Sequence, residues 1–140
     1  MPLNSINTNR LLRRTMMVMS LGLLITLTPV VCASQQPVPV PQVNANLGSC
    51  TVDFTVSQSR EPLYNAEISV NISYGFMGVK KMDLKVGTNS EGKARFVGLP
   101  DKVHNPPLVF VVNSKGVRKT VNYWPSVKCQ ARYDVIMEGR

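Results

Sequence analysis

After residue 50 the apolar positions recur every second residue. Val52, Phe54 and Val56 alternate with Thr51, Asp53 and Thr55, and Ala66, Ile68, Val70, Ile72 and Tyr74 alternate with Glu67, Ser69, Asn71 and Ser73. Successive side chains of an extended strand point to opposite faces, so this period gives each strand one apolar side. The pattern returns in Met82, Leu84 and Val86, in Ala94 and Phe96, in Val117, Val121 and Tyr123, and in Ala131, Tyr133, Val135 and Met137. Leu108 to Val112 is a continuous apolar run, which fits a strand buried more completely. Gly, Pro, Asn or Ser bounds each of these seven segments, and no sustained helical stripe follows residue 50. Half-apolar strands bury their apolar sides only against a second layer. The pattern therefore predicts an all-β, seven-stranded antiparallel β-sandwich of immunoglobulin-like type. Its expected core holds Phe54, Ile68, Val70, Leu84, Phe96, Phe110 and Val135.

The first 33 residues obey a different rule. Residues 1–14 contain no acid and carry Arg10, Arg13 and Arg14, and residues 15–31 are an uncharged, mostly apolar run with Val31-Cys32-Ala33 at its exit. A basic head, an apolar centre and a small-residue exit predict an export signal cleaved after Ala33. A permanent anchor is the competing reading, but the run is short for a bilayer span and Pro29 interrupts it. Lipid attachment at Cys32 would require a small residue directly before it, where Val31 stands. Arg13-Arg14 resembles a twin-arginine signal, although the usual serine or threonine before the pair is missing. No stable membrane span is expected once the signal is removed. Residues 34–49 follow, with Pro37, Pro39 and Pro41 at alternate positions, and read as an extended proline-rich linker ahead of a domain over residues 50–140.

Composition sharpens this organisation. A chain of 140 residues with 44% hydrophobic content has room for one folded domain and is too apolar for disorder. Removing residues 1–33 takes away three arginines and no acid, which brings the formal charge from +8 to about +5. So mild an excess argues for solubility and against nucleic-acid binding.

Two cysteines remain after the signal, Cys50 and Cys129. In an oxidising compartment an even pair is normally a disulfide, which predicts a bridge around nearly the whole domain, with two separate buried thiols as the alternative. The two precede the first and last strands, whose starting ends meet if those strands lie side by side in parallel. Without C-x-x-C spacing the pair reads as a staple and not a redox centre.

Two segments resemble the carboxypeptidase regulatory-like domain, a transthyretin-like (prealbumin-like) sandwich. They are Pro62-Leu63-Tyr64-Asn65-Ala66-Glu67-Ile68-Ser69-Val70, and Thr88-Asn89-Ser90-Glu91-Gly92 running through Lys93-Ala94-Arg95-Phe96-Val97 to Gly98-Leu99-Pro100. In the second, Asn89 or Ser90 is suited to bond the turning backbone, and Gly92 to take a positive φ. The resemblance implies a non-catalytic accessory or binding module. A transthyretin-like branch that hydrolyses 5-hydroxyisourate uses several histidines and a Tyr-Arg-Gly-Ser ending. This chain has only His104 and ends Ile136-Met137-Glu138-Gly139-Arg140, so that activity is not expected.

Nothing else in the chain announces chemistry. His104 sits before Pro106-Pro107 without a local nucleophile or orienting acid, the eight acids are scattered, and no phosphate loop opens a helix. No catalytic residue, metal site or cofactor is expected. Asn71-Ile72-Ser73 matches a glycosylation sequon but reads as a solvent-facing strand edge. Two surface features remain as candidate partner-binding residues: Phe76 and Met77 with Lys80 and Lys81 at a hairpin tip, and Tyr123 with Trp124 at a strand end. Folding of the tip over the sandwich edge, and packing of the aromatics over its open end, are the structural alternatives. The expectation is an exported, periplasmic or secreted, non-catalytic module binding a protein or carbohydrate of the cell envelope through loop tips or a free sheet edge. A small secreted enzyme inhibitor or hydrolase is the rival.

Overall fold

The computed structural model describes residues 36–138. The expected signal over residues 1–33, with Cys32, lies outside the described residues. Nine strands form two sheets: β1 (Gln42–Asn44), β2 (Cys50–Gln58), β3 (Glu61–Pro62), β4 (Glu67–Tyr74), β5 (Lys80–Gly87), β6 (Lys93–Leu99), β7 (Leu108–Ser114), β8 (Val117–Tyr123) and β9 (Gln130–Met137). The only helical geometry among the described residues is a 3-10 turn over Phe76–Gly78. All seven strands expected from the alternation are present, joined by the short β1 and β3.

In the first sheet β2 is the hub. It pairs antiparallel with β6 and β3 along one edge and in parallel with β9 along the other. The second sheet runs β5-β4-β7-β8, antiparallel throughout. The sandwich is therefore mixed and not purely antiparallel, because β2–β9 and β1–β6 are both parallel pairs. The β2–β9 pair places the first and last long strands side by side, as the cysteine positions require.

The inward faces interleave as the period of two dictates. Phe54, Phe96 and Phe110 pack together with ring centroids 4.9–5.9 Å apart, edge-on or tilted, in the arrangement favoured by aromatic quadrupoles. Ile68, Val70, Leu84 and Val135 complete the core anticipated from the sequence.

The proline-rich stretch is more than a spacer. Asn89 donates from Nδ2 to the carbonyl of Pro39 (3.1 Å), and the Arg95 N–H bonds to the carbonyl of Pro41 (2.9 Å). These bonds lay β1 parallel to β6 and bury Ala45. The linker expectation for residues 34–49 is corrected to this extent: backbone donors of an edge strand were available, and residues 39–45 satisfied them.

The Thr88–Gly92 turn between β5 and β6 is a small polar knot. Buried Thr88 accepts the Ala66 N–H at Oγ1 (2.9 Å) and donates to the carbonyl of Leu63. Asn89 Oδ1 accepts the N–H groups of Glu91 and Lys93 (3.0 and 2.9 Å), so Asn89, not Ser90, bonds the turning backbone. Buried polar side chains are stable only when partnered in this way.

Candidate functional site

One end of the sandwich gathers four connections: residues 44–49, the β4–β5 tip 75–79, the crossover 100–107 and the turn 124–129. The disulfide stands beneath them. Cys50 and Cys129 are bonded, with Cα atoms 4.6 Å apart. The pairing is the one the sequence predicted. It fixes the starts of β2 and β9, and hence the base of the 124–129 turn.

The tip is held upright by its backbone. Gly75 (φ 78), Met77 (φ 54) and Gly78 (φ 67) all take left-handed conformations, which glycine adopts freely and methionine does not. Bonds from Gly78 N to Gly75 O and from Val79 N to Phe76 O close the turn. His104 packs against Gly78, so close that a Cβ there would lie 3.0 Å from its Cδ2. Glycine is what lets the crossover seat beside the tip.

The side chains carried by this end are unusual for loops. Phe76 is 88% exposed, Met77 69%, Val79 78%, Val127 82% and Trp124 45%. The tip does not fold over the sandwich edge. Loop tips are ordinarily polar, and large apolar side chains gathered at one place mark an interaction surface. Lys80, Lys81, Lys102 and Lys128 are exposed around them, with Asp101 as the sole acid in these four connections. Toward the opposite end Tyr64 and Ile136 are exposed, with Val38 beside the Thr88–Gly92 turn.

Of the six residues singled out as partner-binding, Phe76, Met77, Lys80, Lys81 and Trp124 lie exposed at this end. Tyr123 does not. It is 1% exposed, packs on Phe110 with centroids 6.2 Å apart, and donates its hydroxyl to the carbonyl of Cys129 (2.9 Å). Its shared parity with Val117 and Val121 was the signal that it faces inward. Val79, Lys102, Val127 and Lys128 were missed, because only the fold brings the crossover and the last turn to the tip.

Burial, with a smaller contribution from nearby Tyr133, pushes the Tyr123 phenol up to about 12. An unfolded tyrosine titrates near 10, so between those values the native chain holds a proton that the unfolded chain releases. Stability should thus be undiminished below about pH 10 and fall as pH rises toward 12. Urea titrations across that range should show the decline in the wild type and a shallower one in Tyr123→Phe. Equal slopes would remove Tyr123 as its source.

Among the described residues no group of three or more His, Cys, Asp or Glu side chains is placed to hold a metal ion. No helix among them is long and apolar enough to cross a membrane.

No family model matches the chain, and no curated protein matches it. Solved structures do. The chain is similar to catechol 1,2-dioxygenase from Pseudomonas arvilla C-1, with 10% identity and a TM-score of 0.48, over 72% of this chain and 58% of that one. It is similar to chlorocatechol 1,2-dioxygenase from Pseudomonas putida, with 15% identity and a TM-score of 0.44, over 71% and 67%. A third is hydroxyquinol 1,2-dioxygenase from Pseudomonas putida DLL-E4, with 10% identity and a TM-score of 0.43, over 77% and 65%. The expectation of a non-catalytic module for a protein or polysaccharide partner is corrected by these matches, since the solved structures the sandwich is similar to are enzymes. At such identities and TM-scores no activity is transferred to this chain, which spans 58% of the first of them.

Proposed function

We propose that this protein is an exported, transthyretin-like β-sandwich of the carboxypeptidase regulatory-like type that rests on an anionic lipid surface by its disulfide-bearing end. The signal pattern of residues 1–33 and the Cys50–Cys129 bridge support export to the periplasm or beyond. The observation that carries the lipid reading is the pairing of exposed Phe76, Met77, Val79, Trp124 and Val127 with four surrounding lysines. Apolar side chains of this size gain by entering the headgroup–acyl boundary, and tryptophan favours that depth. Each lysine near an anionic surface adds about 1 kcal/mol. The sandwich itself stays in water, since its remaining surface is mostly polar.

Sedimentation of the oxidised chain with vesicles tests this. Binding should be strong to phosphatidylcholine containing phosphatidylglycerol, weak to phosphatidylcholine alone, and reduced by salt. Lys80→Gln with Lys81→Gln should weaken it by about 2 kcal/mol, a factor of roughly thirty. Phe76→Ser with Met77→Ser should weaken it at least as much, without changing the melting temperature, because neither side chain is buried. Equal binding to both vesicle types, or none to either, would overturn the reading.

A further inference from the structure

The outer face of the first sheet carries a second, separate feature. Strand register places Arg95, Asp53 and Arg132 in one row across β6, β2 and β9. All three point away from the core, because their chain neighbours Ala94, Phe96, Val52, Phe54 and Ala131 are buried. Arg95 donates from Nε to Asp53 Oδ1, which orients its guanidinium across the sheet. Arg132 makes no ion pair among the described residues.

Two adjoining hollows of about 440 and 310 Å³ meet along this row and share Asp53, Arg95 and Arg132. The first adds Lys128, Gln130 and Thr51, and the second adds Lys93, Thr55 and Val40. The first lining therefore has three cations against one carboxylate, while in the second Lys93 is paired with Glu91 (2.7 Å). An excess of two positive charges in the first hollow, with neutral hydrogen-bonding side chains beside it, is complementary to a doubly negative ligand.

We infer that this trough binds a small organic dianion of dicarboxylate type, with one carboxylate on Arg95 and the other on Arg132. The two arginines stand on strands separated by β2, so their backbones are about 10 Å apart. A four-carbon diacid held at both ends by guanidinium groups suits that strand separation, and a single small anion does not. Thr51, Thr55 and Gln130 supply hydrogen-bonding groups along the floor. The site lies on a sheet face and shares only Lys128 with the loop end, and its two arginines take no part in the lipid reading.

Amide chemical-shift titration of the oxidised chain with succinate, acetate and inorganic phosphate, without vesicles, tests this. Succinate should bind at least roughly tenfold more tightly than acetate or phosphate, with shifts at residues 51–55, 93–95 and 130–132. Arg132→Gln should weaken succinate binding about tenfold and bring it close to acetate. Asp53→Asn should strengthen it, because a competing carboxylate is removed while both guanidinium groups remain. A structural role for Asp53 alone would not produce that gain. Arg132 is exposed, so its variant keeps the test open should Asp53→Asn fold poorly. Succinate binding no tighter than acetate, phosphate binding tighter than succinate, or an Arg132→Gln variant that binds like wild type would each overturn the proposal.

Discussion

Replacing Cys50 and Cys129 together by alanine is expected to lower the unfolding free energy by about 4.5 kcal/mol. The bridge spans a sequence separation of 79, and closing so long a loop removes a large part of the unfolded chain's conformational freedom. For a sandwich of this size, whose total stability falls in the range of about 5–15 kcal/mol, that is a third or more of the whole. The melting temperature should fall by roughly 20 °C or more. The loss should be reproduced by reducing the wild type, since both routes release the same constraint. A difference below about 1 kcal/mol between oxidised and reduced protein would mean that the unfolded chain was already restricted by other means. Vesicle binding should weaken as well, because the bridge holds the base of the turn that carries Trp124, Val127 and Lys128.

Gly92→Ala should destabilise the fold by at least about 3 kcal/mol. Gly92 has φ 71, and a Cβ added there would lie 2.2 Å from the carbonyl oxygen of Val56. That oxygen is backbone in the central strand and accepts the Leu63 N–H (2.9 Å), so it has no room to retreat. Gly92 also accepts the Val56 N–H (2.7 Å) and donates to Asn89 O (2.9 Å), so any shift disturbs the knot that recruits β1. Gly116→Ala is the internal comparison. Gly116 has φ 80 with nothing within 4 Å of its absent Cβ, so its alanine variant meets only the left-handed backbone penalty of about 1 kcal/mol. Denaturant midpoints of the two variants separate steric collision from backbone preference. Equal losses would show that the Val56 contact contributes nothing.

The strands were legible because a two-layer sheet imposes a period of two on every long strand, and Ile68, Phe96 and Phe110 keep to it. Cys50 and Cys129 were legible for a different reason: Cys50 opens one strand and Cys129 stands just before another, and the parallel β2–β9 pair is the geometry that joins them. β1 was not legible. Gln42–Asn44 has too few residues to show a period, and it is held by Asn89 and the Arg95 backbone, which are distant in sequence. Tyr123, offered both as a contact and as packing over the open end, is buried, the direction in which its parity with Val121 pointed.

The surface was legible only in part. Phe76 and Met77 break the rule that tips are polar, a local signal. Val127 and Lys128 acquire meaning only when the fold sets them beside that tip. The row of Arg95, Asp53 and Arg132 is the extreme case. Each residue reads singly as an ordinary solvent-facing position, and the row exists only through the register of three strands.

Trp124 is the one tryptophan in the chain and stands within the end assigned to the lipid surface. Its fluorescence reads contact of this end with lipid directly, with no label. On titration with phosphatidylglycerol-containing vesicles the emission should shift to shorter wavelength and become shielded from an aqueous quencher, while phosphatidylcholine vesicles leave it unchanged. Emission and quenching that stay the same at saturating anionic lipid would contradict the account.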